Sequence, residues 1–88
     1  MQHDVRQVIE KTLRLVAEEN LLILPAYGDD TELVDEMGFT SVSIAMLLFR
    51  VEMELGVDPF LDENVRITDI RTVGDLCRVY SDCLAAQA

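Results

Sequence analysis

Three observations predict an all-α fold, a small bundle of three main helices plus one short helix, with a long first loop. Apolar residues recur at helical spacing in three separate stretches of the chain. No stretch shows the strict apolar–polar alternation of a half-buried strand. Pro25, Gly28, Gly56 and Pro59 fall between the periodic stretches, where breaks belong.

The first helix opens behind Asp4, a favoured N-cap residue. Val5, Val8, Ile9, Thr12, Leu13 and Val16 form its inner stripe, while Arg6, Gln7, Glu10, Lys11 and Arg14 fill the outer face. It runs to about Glu19, and Asn20 marks its end. Residues 21–40 break the pattern at Pro25 and Gly28. A connection of about twenty residues is too long to hang free in a small domain. It is therefore expected to anchor itself through Leu22, Leu24, Leu33, Val34 and Met37, with a short turn over residues 30–36. The second helix begins near Ser41 and ends at Gly56, a natural C′ residue. After the Asp58-Pro59 break, residues 65–70 have room for a turn or two of helix. Thr72 then caps the last helix, with Asp75 three positions on as a capping box. Val73, Leu76, Cys77, Tyr80 and Leu84 give that helix its apolar stripe.

The 88 residues are read as a single domain with one core. A chain this short buries a little over about 60% of its unfolded surface and is too small to enclose a core and a conventional catalytic cleft together. Half of its residues are hydrophobic and 27% are charged, so the composition is that of a folded chain. The charge is lopsided, 7 Lys+Arg against 17 Asp+Glu, for a net −10. Such a surface repels nucleic-acid phosphates and anionic membranes and favours partners with basic patches. Cys77 and Cys83 lie six apart, about 240° around a helix, so a disulfide between them is not expected and both are read as reduced thiols. No His or Cys grouping has metal-ligand spacing, and no metal is expected. Met1-Gln2-His3-Asp4 lacks the basic and apolar regions of a signal peptide. The longest apolar runs, near Leu21–Leu24 and Ile44–Phe49, are too short to span a bilayer. A cytoplasmic protein is the expectation.

The second helix is apolar on two sides. On a 100° wheel, Ile44, Leu48, Val51 and Leu55 cluster on a core face with Leu47 beside them. Val42, Met46, Phe49 and Met53 form a second stripe, within about 50° of the opposite direction. Either the long loop folds over that stripe, or the stripe is a docking surface to which Met lends adaptable contacts. Arg50, next to the stripe, would add a charged anchor.

The stretch Asp35-Glu36-Met37-Gly38-Phe39-Thr40-Ser41-Val42 resembles the phosphopantetheine attachment site of acyl and peptidyl carrier proteins. In that family a Gly precedes an Asp-Ser-Leu triplet by one residue, at the start of a helix. The order of helix, long loop, Ser-bearing helix, short helix and last helix is similar along nearly the whole chain. Thr40 stands where the family has Asp, and Val42 where it has Leu. Ser43, Met46 and Met53 occupy positions where the fatty-acid members resemble one another in being acidic.

The resemblance implies a stand-alone, monomeric, non-catalytic carrier. It would hold an acyl, aminoacyl or peptidyl group as a thioester on a 4′-phosphopantetheine arm, derived from coenzyme A and attached to Ser41. It further implies a natural-product pathway of the polyketide or nonribosomal peptide type. The partners implied are a phosphopantetheinyl transferase, a loading acyltransferase or adenylating ligase, and a downstream synthase or transferase. They would meet the chain at Thr40, Val42, Met46, Phe49, Arg50 and Met53.

Other readings of the same residues stay open or fall away. Ser41 could serve only as an N-cap, and Ser43 is a second hydroxyl nearby. The chain could then be an unmodified helical interaction module using the same apolar stripe. A hydrolase triad is not expected: no Gly-x-Ser-x-Gly surrounds Ser41, and the sole histidine is His3 at the terminus. The acidic run from Asp58 to Asp69 lacks the spacing of a calcium loop and reads as solvated surface. Cys77 reads as a core residue. Cys83 is expected to be more exposed, with only Arg78 or the helix end near enough to activate it.

Overall fold

A computed structural model describes residues 4–87, with side chains through residue 86. His3 lies outside the described residues. Three helices of equal length make the frame: α1 over Val5–Glu19, α2 over Ser41–Leu55 and α3 over Val73–Gln87. Two 3₁₀ turns, Pro59–Leu61 and Ile67–Asp69, connect α2 to α3. No strand occurs among the described residues. No helix among them is long and apolar enough to cross a membrane.

The α1 boundaries follow from its ends. Asp4 is extended, and its carboxylate accepts the Gln7 N–H at 3.2 Å. At the other end the Leu22 N–H donates to the Ala17 carbonyl at 2.8 Å and the Leu21 N–H to Glu18 at 3.2 Å. That pair of bonds is a Schellman motif, which needs a left-handed residue at C′. The residue there is Leu21, with φ 57°, in a place where glycine is usual. Ile9, Leu13, Val16 and Ala17 are buried, as the inner stripe requires. So is Thr12, whose hydroxyl donates to the Val8 carbonyl at 2.7 Å.

The long loop is pinned at both ends of its path. Leu33, Met37 and Phe39 are buried, and Leu22, Leu24 and Tyr27 pack half-buried against the core. Val34 does not anchor the loop as expected; it is 55% exposed. The chain there makes a helix-like turn, with the Glu36 and Met37 N–H groups donating to Glu32 and that of Gly38 to Val34. Leu33 and Met37, four apart, share its inner side, and Val34 one step round is turned outward. The loop is also stitched to the start of α3. Leu33 donates to the Arg71 carbonyl at 2.9 Å, Val73 to Thr31 at 3.1 Å, and Gly74 to Asp29 at 2.8 Å.

The link between α2 and α3 differs from the one short helix that the sequence predicts. Residues 65–70 do contain a turn, but it is a single 3₁₀ turn. A second precedes it, because Asp58 accepts the Phe60 N–H at 3.0 Å and Pro59 sets the backbone for a turn. The capping box at α3 forms as expected: Thr72 Oγ1 accepts the Asp75 N–H at 3.1 Å, and Asp75 Oδ2 accepts the Thr72 N–H at 3.2 Å. Burial pushes the Asp75 carboxyl up. The Arg78 guanidinium at 2.7 Å, with the N–H groups of Arg71 and Thr72, more than offsets this and holds it below its ordinary value.

The core sits between α1 and α2 and is closed by α3. Leu47 and Val51 are fully buried, as are Val73, Leu76 and Tyr80 from α3. Each such side chain contributes about 1.5–3 kcal/mol of burial. Tyr80 is the largest of them, and its hydroxyl lies 3.3 Å from the Leu48 carbonyl and 3.4 Å from Glu52 Oε2. Two exposed ion pairs, Lys11 with Glu54 and Arg50 with Glu19, tie the outer edges of α1 and α2. Pairs of this kind are each worth at most about 1 kcal/mol.

Two stability predictions follow from these contacts. A Cβ on Gly74 would stand 3.0 Å from both the Cβ and the carbonyl oxygen of Asp29, an oxygen already held by the Gly74 N–H. Gly74→Ala should therefore lower stability by about 1–3 kcal/mol in denaturant unfolding, despite alanine's better helix propensity. The second concerns Glu52. Its burial, and then the Asp58 carboxylate, raise it above its ordinary 4.5, against the lowering pull of the Tyr80 hydroxyl. The folded state then holds this proton more tightly than the unfolded one, so stability falls as pH rises through the folded value. Melting temperature should rise on going from neutral pH down toward the ordinary carboxylate range, and Glu52→Gln should remove part of that rise. The remainder, from repulsion among the 17 acidic residues, should persist in the variant.

Candidate functional site

The site is built where the long loop turns into α2. Gly38 takes φ 79°, a left-handed conformation that turns the chain just before the helix. Phe39 then plugs into the core, 1% exposed. Thr40 is extended and caps α2, its hydroxyl oxygen accepting the Ser43 N–H at 3.2 Å. The Thr40 and Ser43 hydroxyls also pair at 3.0 Å. Ser43 is buried, 2% exposed.

These contacts separate the three neighbouring hydroxyls. Thr40 performs the capping that the sequence also allowed to Ser41. Ser43 is enclosed and hydrogen-bonded, so it offers no accessible nucleophile. Ser41, the first residue of α2, is exposed. Its N–H and that of Val42 belong to the unpaired first turn of the helix, where the macrodipole is positive. No acidic residue lies in that first turn, although the chain has 17. The hydroxyl therefore stands in surroundings that favour an anion.

An apolar cleft of about 440 Å³ opens beside Ser41. Phe39, Ile44, Ala45 and Leu48 line it, with Val34 and Ile67 on its rim. Ile44 is half-buried, packed against the core as the wheel predicts, and it also lines the cleft. Ser43 and Leu47 occupy the inner side of α2, so the buried face is rotated toward them. Val34 and Ile67, 55% and 57% exposed, join the site although the sequence does not mark them. Neither has a local signature, since each has other aliphatic residues close by in sequence: Leu33 near Val34, and Val65 and Ile70 near Ile67.

The outer stripe of α2 is not covered by the loop. Val42, Phe49 and Met53 are 66%, 64% and 69% exposed. Met46 is shared, half-buried and packed against the core. Arg50, expected as a charged anchor for partners, is engaged with Glu19 of α1. The sequence thus grouped Thr40, Ser41, Val42, Phe49 and Met53 on surface that the fold leaves open.

The remaining candidates contribute no chemistry at this site. Cys77 is buried, and burial pushes its thiol up. Cys83 is half-buried and also raised, by burial and then by Asp58 and Asp62, so its surroundings oppose activation. The acidic run is more structured than a merely solvated surface: Asp58, Asp62 and Asp69 accept the N–H groups of Phe60, Asn64 and Arg66. No grouping of His, Cys, Asp and Glu among the described residues could hold a metal ion. No family model, curated protein or solved structure matches the chain.

The stripe yields a test by substitution. Phe49→Glu should change unfolding free energy by no more than about 0.5 kcal/mol, since most of the residue is already in water. Met46→Glu should cost about 1–3 kcal/mol, because its carboxylate would displace packing against the core. Thermal melts of the two variants check the contrast.

Proposed function

We propose that this chain is a non-catalytic carrier protein with a 4′-phosphopantetheine arm on Ser41. The observation that carries this reading is the division of labour at the start of α2. Thr40 caps the helix, Ser43 is buried, and Ser41 presents an exposed hydroxyl at the positive end of a helix.

The residues present fit the arm. A phosphodiester on the Ser41 oxygen would be favoured by the free N–H groups of the first turn and met by no carboxylate within it. The apolar cleft lined by Phe39, Ile44 and Leu48 offers an aliphatic segment a sheltered surface beside the attachment point. When attached, the arm supplies a terminal thiol that holds a carboxylic acid as a thioester. The domain itself makes and breaks no bonds. It keeps Ser41 rigidly oriented and raises the effective concentration of the tethered group at each partner.

The exposed Val42, Phe49 and Met53 are the surface on which loading and receiving enzymes would dock. A cytoplasmic, monomeric protein in a natural-product pathway fits that more apolar surface. Its partners on this reading are a phosphopantetheinyl transferase, an acyltransferase or adenylating ligase, and a downstream synthase.

Intact mass after incubation with coenzyme A and a broad-specificity phosphopantetheinyl transferase tests the reading. The wild type and Ser43→Ala should each gain one phosphopantetheine, and Ser41→Ala should gain none while keeping its fold. A bare wild-type chain both in that assay and when isolated from its own cells would sink the proposal and leave an unmodified interaction module.

A further inference from the structure

A second apolar surface lies at the other end of α2, unconnected with Ser41. It is a groove of about 420 Å³ between the first 3₁₀ turn and the second half of α3. Pro59, Val65, Val79 and Cys83 line it, and Leu61 stands on its lip, 83% exposed. The fifteen residues of α2 place it about 20 Å from the attachment serine. We propose that this groove docks a basic amphipathic segment of a partner protein, its apolar residues on the groove floor and its Lys or Arg side chains against the rim.

Charge decides the occupant. The rim carries three carboxylates, Asp58, Asp62 and Asp82, and no Lys or Arg lines the groove. Asp58 and Asp62 are held in place, each accepting a backbone N–H at 3.0 and 2.9 Å, from Phe60 and Asn64 respectively. Their field reaches the groove floor, where burial and then these two carboxylates raise the Cys83 thiol. A Lys or Arg stem covers apolar surface while its head meets a carboxylate, so floor and rim suit the same kind of side chain.

The alternatives fit less well. A second copy would bring another net −10. Of its seven basic residues, Arg6, Lys11, Arg50 and Arg78 are already paired with Asp29, Glu54, Glu19 and Asp75. An anionic membrane is repelled for the same reason. A basic segment is attracted over a distance of about 8–10 Å at physiological salt and then held by apolar contact. The proposal does not depend on what Ser41 carries.

The test titrates the ¹⁵N-labelled full chain with a synthetic amphipathic helical peptide, Leu at positions i, i+3, i+4 and i+7 and Lys at the others. Any acidic protein attracts such a peptide, so location and a charge-matched comparison carry the decision. The amide shifts should concentrate at Leu61, Val65, Val79 and Cys83. Asp62→Asn/Asp82→Asn should weaken binding by about tenfold, and Glu18→Gln/Asp35→Asn, of equal charge change elsewhere, by no more than about threefold. Asn can still cap at residue 62, so the first variant is expected to fold. Leu61→Ser, at an exposed position, should weaken binding with no loss of melting temperature. Equal weakening in the two charge variants, shifts spread over the acidic surface, or shifts centred on Val42 to Met53 would each overturn the proposal.

Discussion

Three fifteen-residue helices supply enough apolar surface to cover α2 on one side only, and the rest of the molecule is arranged around that shortage. Leu47, Leu48, Val51 and Leu55 face inward, against α1 and under Tyr80. Val42, Phe49 and Met53 are left largely in water, an exposed apolar stripe that the net charge of −10 keeps soluble. The long loop could have covered them. It is used instead to close the top of the core with Leu33, Met37 and Phe39, and its backbone is committed to the start of α3. A loop fastened there by Asp29, Thr31 and Leu33 is not available to lie over the outer face of α2.

That fastening also shapes the site. Gly38 and Phe39 fix how the chain enters α2, and Thr40 takes the cap. A capping Ser41 would have had its side chain turned onto the helix end, with its oxygen occupied. Moving the cap one residue earlier places Ser41 inside the first turn with its hydroxyl outward. On the carrier reading, Thr40 in place of the family's Asp has a second effect. Threonine caps without adding a negative charge beside the serine, where a phosphodiester would sit.

Much of this was legible in the sequence, for reasons that differ by element. α1 and α3 are short-range objects: a capping residue and a stripe lie within one window, with a terminator besides for α1, and the bounds at Asp4, Asn20 and Thr72 follow from them. The two-sided character of α2 was legible too, because a wheel needs only spacing. What covers each side was not, since it depends on where residues 21–40 pack. The cleft beside Ser41 is lined in part by Val34 and Ile67, thirty-three positions apart, which reach it only through the turn before α2 and the one before α3. The closeness of Asp29 to Gly74, and the pairing of Arg50 with Glu19, are likewise long-range facts with no local signature. Ile44 packs against the core as the wheel predicts, but a wheel treats a face as uniformly buried, whereas the edge of this one opens into a cleft.

The acidic residues are not spread evenly around α2, and their placement runs against stability. A helix C-terminus favours cations, yet neither α2 nor α3 has a basic residue in its last turn. Glu52 and Glu54 sit at that end of α2; Glu54 is paired with Lys11, whereas Glu52 faces Asp58. The raised Glu52 carboxyl registers the strain, since burial and the neighbouring Asp58 both disfavour its charge. The N-terminal turn, where acids would stabilise, has none. Folding alone would select the reverse of this pattern. It suits a molecule whose two ends of one helix meet different things, an anion at Ser41 and a cationic partner at the groove. The partner's charge would then supply the stabilisation that the isolated chain forgoes.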